Sequence, residues 1–254
     1  MHLEAMVYCH VGMVRQNNED NFYLMGKVRQ NLAEQYLKEC YKGSVKQSLF
    51  AVADGMGGET NGELASLVTV QSLRPCALDE VYEIANQSIF EANEMLCDEM
   101  LSTGGKRMGS TLAALYVDGD KTIVVNIGDS RIYRMRAGVL EQLSKDHTIV
   151  QQMVDMGAIT AQEARIHKKR HVLSQNIGIF PEEMVIEPYF SMPIGIKAGD
   201  IYLLCSDGLT DMVTDEEISS VLAKEKFEMQ GKILLDFALK NGGRDNVTIL
   251  LVQF

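Results

Sequence analysis

Six short aspartate-bearing segments are scattered along this chain: Asn18-Glu19-Asp20, Asp54-Gly55-Met56-Gly57-Gly58, Gly128-Asp129-Ser130-Arg131, Lys145-Asp146-His147-Thr148, Ser206-Asp207-Gly208 and Gly243-Arg244-Asp245-Asn246. Several stand where an apolar, β-prone run breaks into glycine or a small polar residue. That places carboxylates at strand ends, where they can converge. Converging carboxylates repel one another unless a cation lies between them, and hard divalent ions such as Mg²⁺ or Mn²⁺ accept all-oxygen ligation. The first chemistry these residues suggest is a carboxylate-built metal site.

The elements that must position these residues are legible in outline. Leu49-Phe50-Ala51-Val52-Ala53 is an apolar run that stops at Asp54-Gly55, as a buried strand ending at a site would. Thr111 to Val117, Asp118-Gly119-Asp120 and Thr122 to Ile127 read as a hairpin, with Asp118 and Asp120 in its turn. Arg131 to Arg136 alternates polar and apolar residues, and Ile201 to Cys205 and Val247 to Val252 are further strands. From Val81 to Leu101 the apolar residues recur at helical spacing, with Asp79 as N-cap. Thr160-Ala161-Gln162-Glu163 and Thr214-Asp215-Glu216-Glu217 fit the capping-box pattern and predict two helix starts. Ile233, Leu234, Phe237 and Ala238 form another helical face. Strands joined by hairpins, with helices in blocks, predict an α+β fold with antiparallel sheets. The polar segment Lys27 to Gln47 reads as a helix or a long strand connection.

At 254 residues the chain can bury a substantial core, and nothing in it resembles a linker or an internal repeat. A net charge of −11 argues against nucleic acid as the main partner. No apolar stretch reaches the roughly 20 residues of a membrane span, and the start of the chain lacks the pattern of a signal peptide. Five cysteines without CxxC spacing read as reduced thiols in a cytoplasmic protein.

Taken in order, the aspartate segments, together with Arg15-Gln16-Asn17 before the first and Gly109-Ser110-Thr111 between the second and third, resemble the type-2C metal-dependent serine/threonine protein phosphatases, the PPM family, in its compact bacterial form. One such dipeptide carries no weight; seven motifs in order are highly specific. The resemblance runs from Arg15 to the C-terminus. It implies a central sandwich of two antiparallel β-sheets flanked by α-helices on both faces, in a single catalytic domain with a flap subdomain at about 149–178. It implies that Asp54 bridges two metal ions, that the Gly55 carbonyl joins the second, that Asp207 and Asp245 bind the first, and that Glu19 and Asp20 hold the second largely through water. Asp129, with Asp207, matches a third-metal site, and Arg15 matches the arginine that grips the substrate phosphate.

The residue types suit that chemistry independently. Two adjacent metals can acidify a bridging water into a hydroxide near neutral pH, and an arginine can hold a phosphoryl group for in-line attack. No protein nucleophile is required. Met56 stands where many eukaryotic relatives have a proton-donating histidine, which leaves the general acid open. His147 and Asp146 read as structural, and the length of Lys27 to Gln47 as decoration. The run Arg165 to His171 in the flap is either a solvated loop or a surface that attracts acidic phosphoproteins. The expectation is a monomeric cytoplasmic hydrolase of phosphoserine and phosphothreonine in proteins, using Mn²⁺ or Mg²⁺ and opposing a cognate Ser/Thr kinase. Two alternatives stay open: a non-catalytic binder of phosphoproteins, and a phosphatase of a small phosphorylated metabolite.

Overall fold

The computed structural model describes residues 2–44, 47–57 and 61–254. Its strands form two antiparallel sheets. The first runs in the order β3 (Tyr36–Ser44), β1 (His2–His10), β13 (Val247–Gln253), β12 (Ile201–Cys205), β8 (Arg131–Arg136), β9 (Val139–Gln142). The second runs β10 (Tyr189–Phe190), β7 (Lys121–Ile127), β6 (Leu112–Asp118), β4 (Gln47–Met56), β2 (Asp20–Leu24); β11 (Ile194–Gly195) also pairs with β7 and β5 (Gly109–Ser110) with β4.

The central strands are apolar on both sides, so both sides must be covered. Along β4, Phe50 and Val52 face the other sheet while Leu49 and Ala51 face the helices. Along β13, Leu250 and Val252 point inward while Ile249 and Leu251 point outward. The inward sets interdigitate between the sheets. The outward set of the second sheet is covered by α2 (Val81–Ser102), through Val81, Ala85, Ile89 and Leu96, and by Ala65 of α1 (Gly62–Gln71). The outward set of the first sheet is covered by Leu209 of α5 (Asp207–Thr210), by α6 (Asp215–Lys224) and by α7 (Phe227–Lys240). This is the α+β fold with antiparallel sheets that the element pattern predicts, arranged as the sandwich the resemblance implies. Two short helices, α3 (Ile149–Asp155) and α4 (Ala161–Ile166), stand apart in the segment expected to be a flap.

Both predicted capping boxes form, at Thr160 with Glu163 and at Thr214 with Glu217. The predicted hairpin is β6–β7, turning at Gly119 with φ of 60°. Three expectations are corrected. The N-cap of α2 is Glu80 without a side-chain bond, because Asp79 lies in a tight turn closed by Glu80 N–H donating to the Ala77 carbonyl. Thr111 is not a strand residue but a joint between β5 and β6, its backbone N–H held by the Asp54 carbonyl. Lys27 to Gln47 is neither a helix nor a bare connection: it contains β3, whose residues alternate in exposure as an edge strand lying on one sheet face does. Val45 and Lys46 of that segment, and Gly58 of the glycine-rich motif, lie outside the described residues.

Candidate active site

The antiparallel topology gathers the acidic segments at one end of the sandwich. Asp54 is near the end of β4 and Asp20 opens β2, and the two are direct partners in the register. Asp20 shares a sheet face with Phe22 and Leu24, and Asp54 with Val52 and Phe50, so the period of two turns both carboxylates inward. On the opposing sheet, Asp207 follows the end of β12 and Asp245 precedes β13. Asp129 sits between β7 and β8. A contact across the sheets ties the halves together: Ser206 Oγ donates to Asp20 Oδ2 at 2.7 Å.

A cleft of about 540 Å³ opens there, lined by Arg15, Glu19, Asp54, Gly55, Asp129, Asp207 and Asp245, with Met56 on its wall. Asp20 stands behind the cleft and is fully buried. Arg15 Nη2 donates to Asp245 Oδ2 at 2.8 Å, so this guanidinium is held by one of the cleft's carboxylates; Arg170 and Arg244 also line the cleft. The backbone is packed tightly around these groups. A Cβ on Gly55 would lie 1.9 Å from the Gly62 carbonyl oxygen and 2.6 Å from that of Glu19. Glycine is required by close approach there, and equally at Gly208, where a Cβ would lie 1.9 Å from the Asn246 carbonyl oxygen.

Burial, then repulsion from Asp20, Asp207, Asp129 and Asp245, holds the Asp54 carboxyl well above the usual carboxylate range. Burial likewise pushes Asp20 up to about 7, against the Ser206 hydrogen bond that favours its charged form. Glu19 rises to about 7 through burial and its neighbour Glu63, and Asp129 to about 8 through burial, Asp207 and Asp146. Buried oxygens Asp20 Oδ1 and Asp207 Oδ1 have no hydrogen-bond partner among the described residues. A cluster of hard oxygen donors, mutually repelling and partly unpaired, fits a divalent cation and little else.

His147 and Asp146 are structural. His147 Nδ1 accepts from the Gly128 N–H at 3.2 Å, and Asp146 receives Arg131 Nε and Nη2 at 2.9 and 2.6 Å. Sequence reasoning missed His171 and Asp211. His171 Nδ1 lies 3.7 Å from Asp207 Oδ2, and its Nε2 lies 3.5 Å from Asp211 Oδ2. Asp211 could have been suspected, because it sits one helical turn after Asp207. His171 arrives from the segment expected to be a flap, and nothing in the sequence announces that contact.

Fold and cleft define the class: a two-sheet sandwich with an acidic, arginine-bearing cleft at one end. A family model described as protein phosphatase 2C matches residues 35–232. The chain is 35% identical over 253 residues to the serine/threonine protein phosphatase PstP of Mycobacterium tuberculosis, which covers 95% of this chain and 43% of PstP. It is 31% identical to the serine/threonine phosphatase stp of Listeria innocua, covering 95% of this chain and 92% of stp. The crystal structure of the PstP catalytic domain in complex with two manganese ions superposes with a TM-score of 0.79 at 31% identity, over 100% of this chain and 99% of that one. The chain belongs to the protein phosphatase 2C family. It spans less than half the length of PstP and nearly all of stp. Among the described residues no helix is long and apolar enough to cross a membrane.

Proposed function

We propose that this chain is a metal-dependent phosphatase of phosphoserine and phosphothreonine in proteins. The observation that carries the reading is the convergence of Glu19, Asp54, Asp129, Asp207 and Asp245 on the cleft that also holds Arg15. Asp54 would help hold two ions; Asp207 and Asp245 would hold the first, and the Gly55 carbonyl, Glu19 and Asp20 the second. Asp129 with Asp207 would hold a third. Bound there, Mn²⁺ or Mg²⁺ would supply the positive charge that acidifies an attacking water and neutralises phosphoryl oxygens.

The protein's own groups do the rest. Arg15 is half-exposed and can turn from Asp245 to a phosphate, presenting two parallel N–H donors that fix the phosphorus for in-line attack. Loss of that partner frees Asp245 for a cation. Two candidate nucleophiles beside the site are otherwise engaged: Cys205 is fully buried, and the Ser206 hydroxyl is committed to Asp20 and to the Thr248 N–H. Met56 has no proton to give the leaving group, so the donor is another group or a water in the cleft. The segment 149–178 acts as a flap on a single catalytic domain, and the chain works as a cytoplasmic monomer against a cognate Ser/Thr kinase.

Phosphate release from phosphothreonine and phosphotyrosine peptides, with and without Mn²⁺, tests the reading. Turnover of the phosphothreonine peptide should vanish in EDTA and return with Mn²⁺ or Mg²⁺. Full activity in thoroughly metal-free protein would sink the mechanism. Binding of phosphopeptides without release would favour a non-catalytic relative, and turnover confined to small phosphorylated metabolites would move the substrate class.

A further inference from the structure

We propose that Arg29 is a positioning residue for the metal-binding segment Glu19–Asp20, a role that rests on reading those two residues as ligands. Arg29 heads the largest fully buried side chains, with no exposed surface. Its guanidinium makes five hydrogen bonds, and every acceptor is a backbone carbonyl. Nη2 donates to Asn18 O at 2.5 Å and to Asp20 O at 2.8 Å, and Nε donates to Asp20 O at 3.1 Å. Nη1 donates to Asn31 O at 3.3 Å and Leu32 O at 3.1 Å.

The choice of residue is informative. Burying a cation costs desolvation that an apolar side chain of similar volume would avoid. Carbonyls satisfy the donors of the guanidinium but do not cancel its charge. What arginine alone supplies is a rigid planar fork that spans two acceptors at once. Here the fork spans the carbonyls on either side of Glu19. The intervening Glu19 carbonyl accepts from the Gly55 N–H at 3.1 Å, and the Glu19 N–H donates to Asn246 Oδ1 at 2.7 Å. Three consecutive carbonyls are therefore pinned. The backbone of Arg29 is fixed in turn: its N–H donates to Asn21 Oδ1 at 2.9 Å, and its carbonyl accepts from Asn21 Nδ2 at 3.0 Å. The segment that reads as decoration in the sequence reaches in to brace the site from behind. Without the fork, the carbonyls at 18 and 20 lose their principal buried donors, and the segment must shift to satisfy them.

Manganese titration calorimetry on the whole chain, with circular dichroism and thermal melts as folding checks, tests this with Arg29→Lys and Arg29→Met. Outer residues that orient metal ligands typically change metal affinity by about 10–100-fold when replaced. Both variants should fold and show one Mn²⁺ site weakened on that scale, while the site assigned to Asp207 and Asp245 keeps wild-type affinity. If Arg29→Met does not fold, Arg29→Lys decides, because lysine keeps the charge and loses the fork. Folded Arg29→Lys with both sites unchanged would overturn the proposal, as would a lower melting temperature without any change in metal affinity. Wild-type protein that binds no Mn²⁺ would overturn the ligand assignment itself, and this proposal with it.

Discussion

Helices α4 and α6 begin with the same device and have different fates. In each, a threonine hydroxyl accepts from the N–H of a glutamate three residues on, and that glutamate accepts from the threonine N–H. Helix α6 then buries Ile218, Val221 and Leu222 against the first sheet. Helix α4 buries none of its residues. Local chemistry starts a helix; burial decides whether the helix belongs to the cooperative fold. The same contrast divides the cleft. Asp54, Asp207 and Asp245 are anchored at or beside strand ends, whereas His171 and the basic run come from the proposed flap, which Arg165 ties to Asp215 through an exposed ion pair.

The contrast sets an order of effects. Asp207→Ala or Asp245→Ala removes a proposed cation-holding group from the rigid frame. Each should lower kcat/KM for a phosphothreonine peptide by at least about 10²–10³-fold, the scale for loss of one electrostatic stabiliser. Near-normal turnover in either variant would mean that the frame does not carry the chemistry. Next comes Arg15→Ala, which should cost about 2–4 kcal/mol of transition-state stabilisation. The loss should be seen in peptide kinetics and in weakened inhibition by inorganic phosphate, with Mn²⁺ still bound by calorimetry. Equal loss of metal would reassign Arg15 to structure.

Stability gives the third comparison. Thr214→Ala should destabilise the fold by about 0.5–2 kcal/mol, a fall of about 2–4 °C in Tm for each kcal/mol. Thr160→Ala removes the same cap and should leave Tm unmoved, with faster amide exchange confined to the flap. Matching Tm losses would show that the flap folds with the sandwich. The smallest effect falls on the flap surface. Lys168→Glu with Lys169→Glu should raise KM for an acidic phosphoprotein by less than about 1 kcal/mol equivalent. It should spare kcat for a small aryl phosphate, and the difference should fade at high salt. Loss on both substrates at every ionic strength would point to a disturbed fold.

These regions also differ in how far the sequence reveals them. The strand-end motifs are readable because an apolar run that breaks into Asp-Gly has few structural meanings, and their order restricts those meanings further. Both capping boxes are readable because a cap is local. Arg29 is not, since it sits in a polar stretch without periodicity, and only the fold decides which cation is buried. His171 escaped for the same reason: its partners, Asp207 and Asp211, lie far along the chain. The edge strand β3 escaped because its lysines, glutamate and glycine disguise an alternating pattern.

The pairing of Asp20 with Asp54 has one more consequence. The residues that follow them along the same face, Phe22 with Val52 and Leu24 with Phe50, are core residues. A slip of β2 by one place against β4, which β6 holds on its other side, would turn Asp20 toward the helices and expel Phe22 and Leu24 from the core with it. Placement of Asp20 and closure of this part of the core are thus set by one register. A chain paired out of register at β2 would lose Asp20 from the inner face, where it meets Ser206 of the opposing sheet.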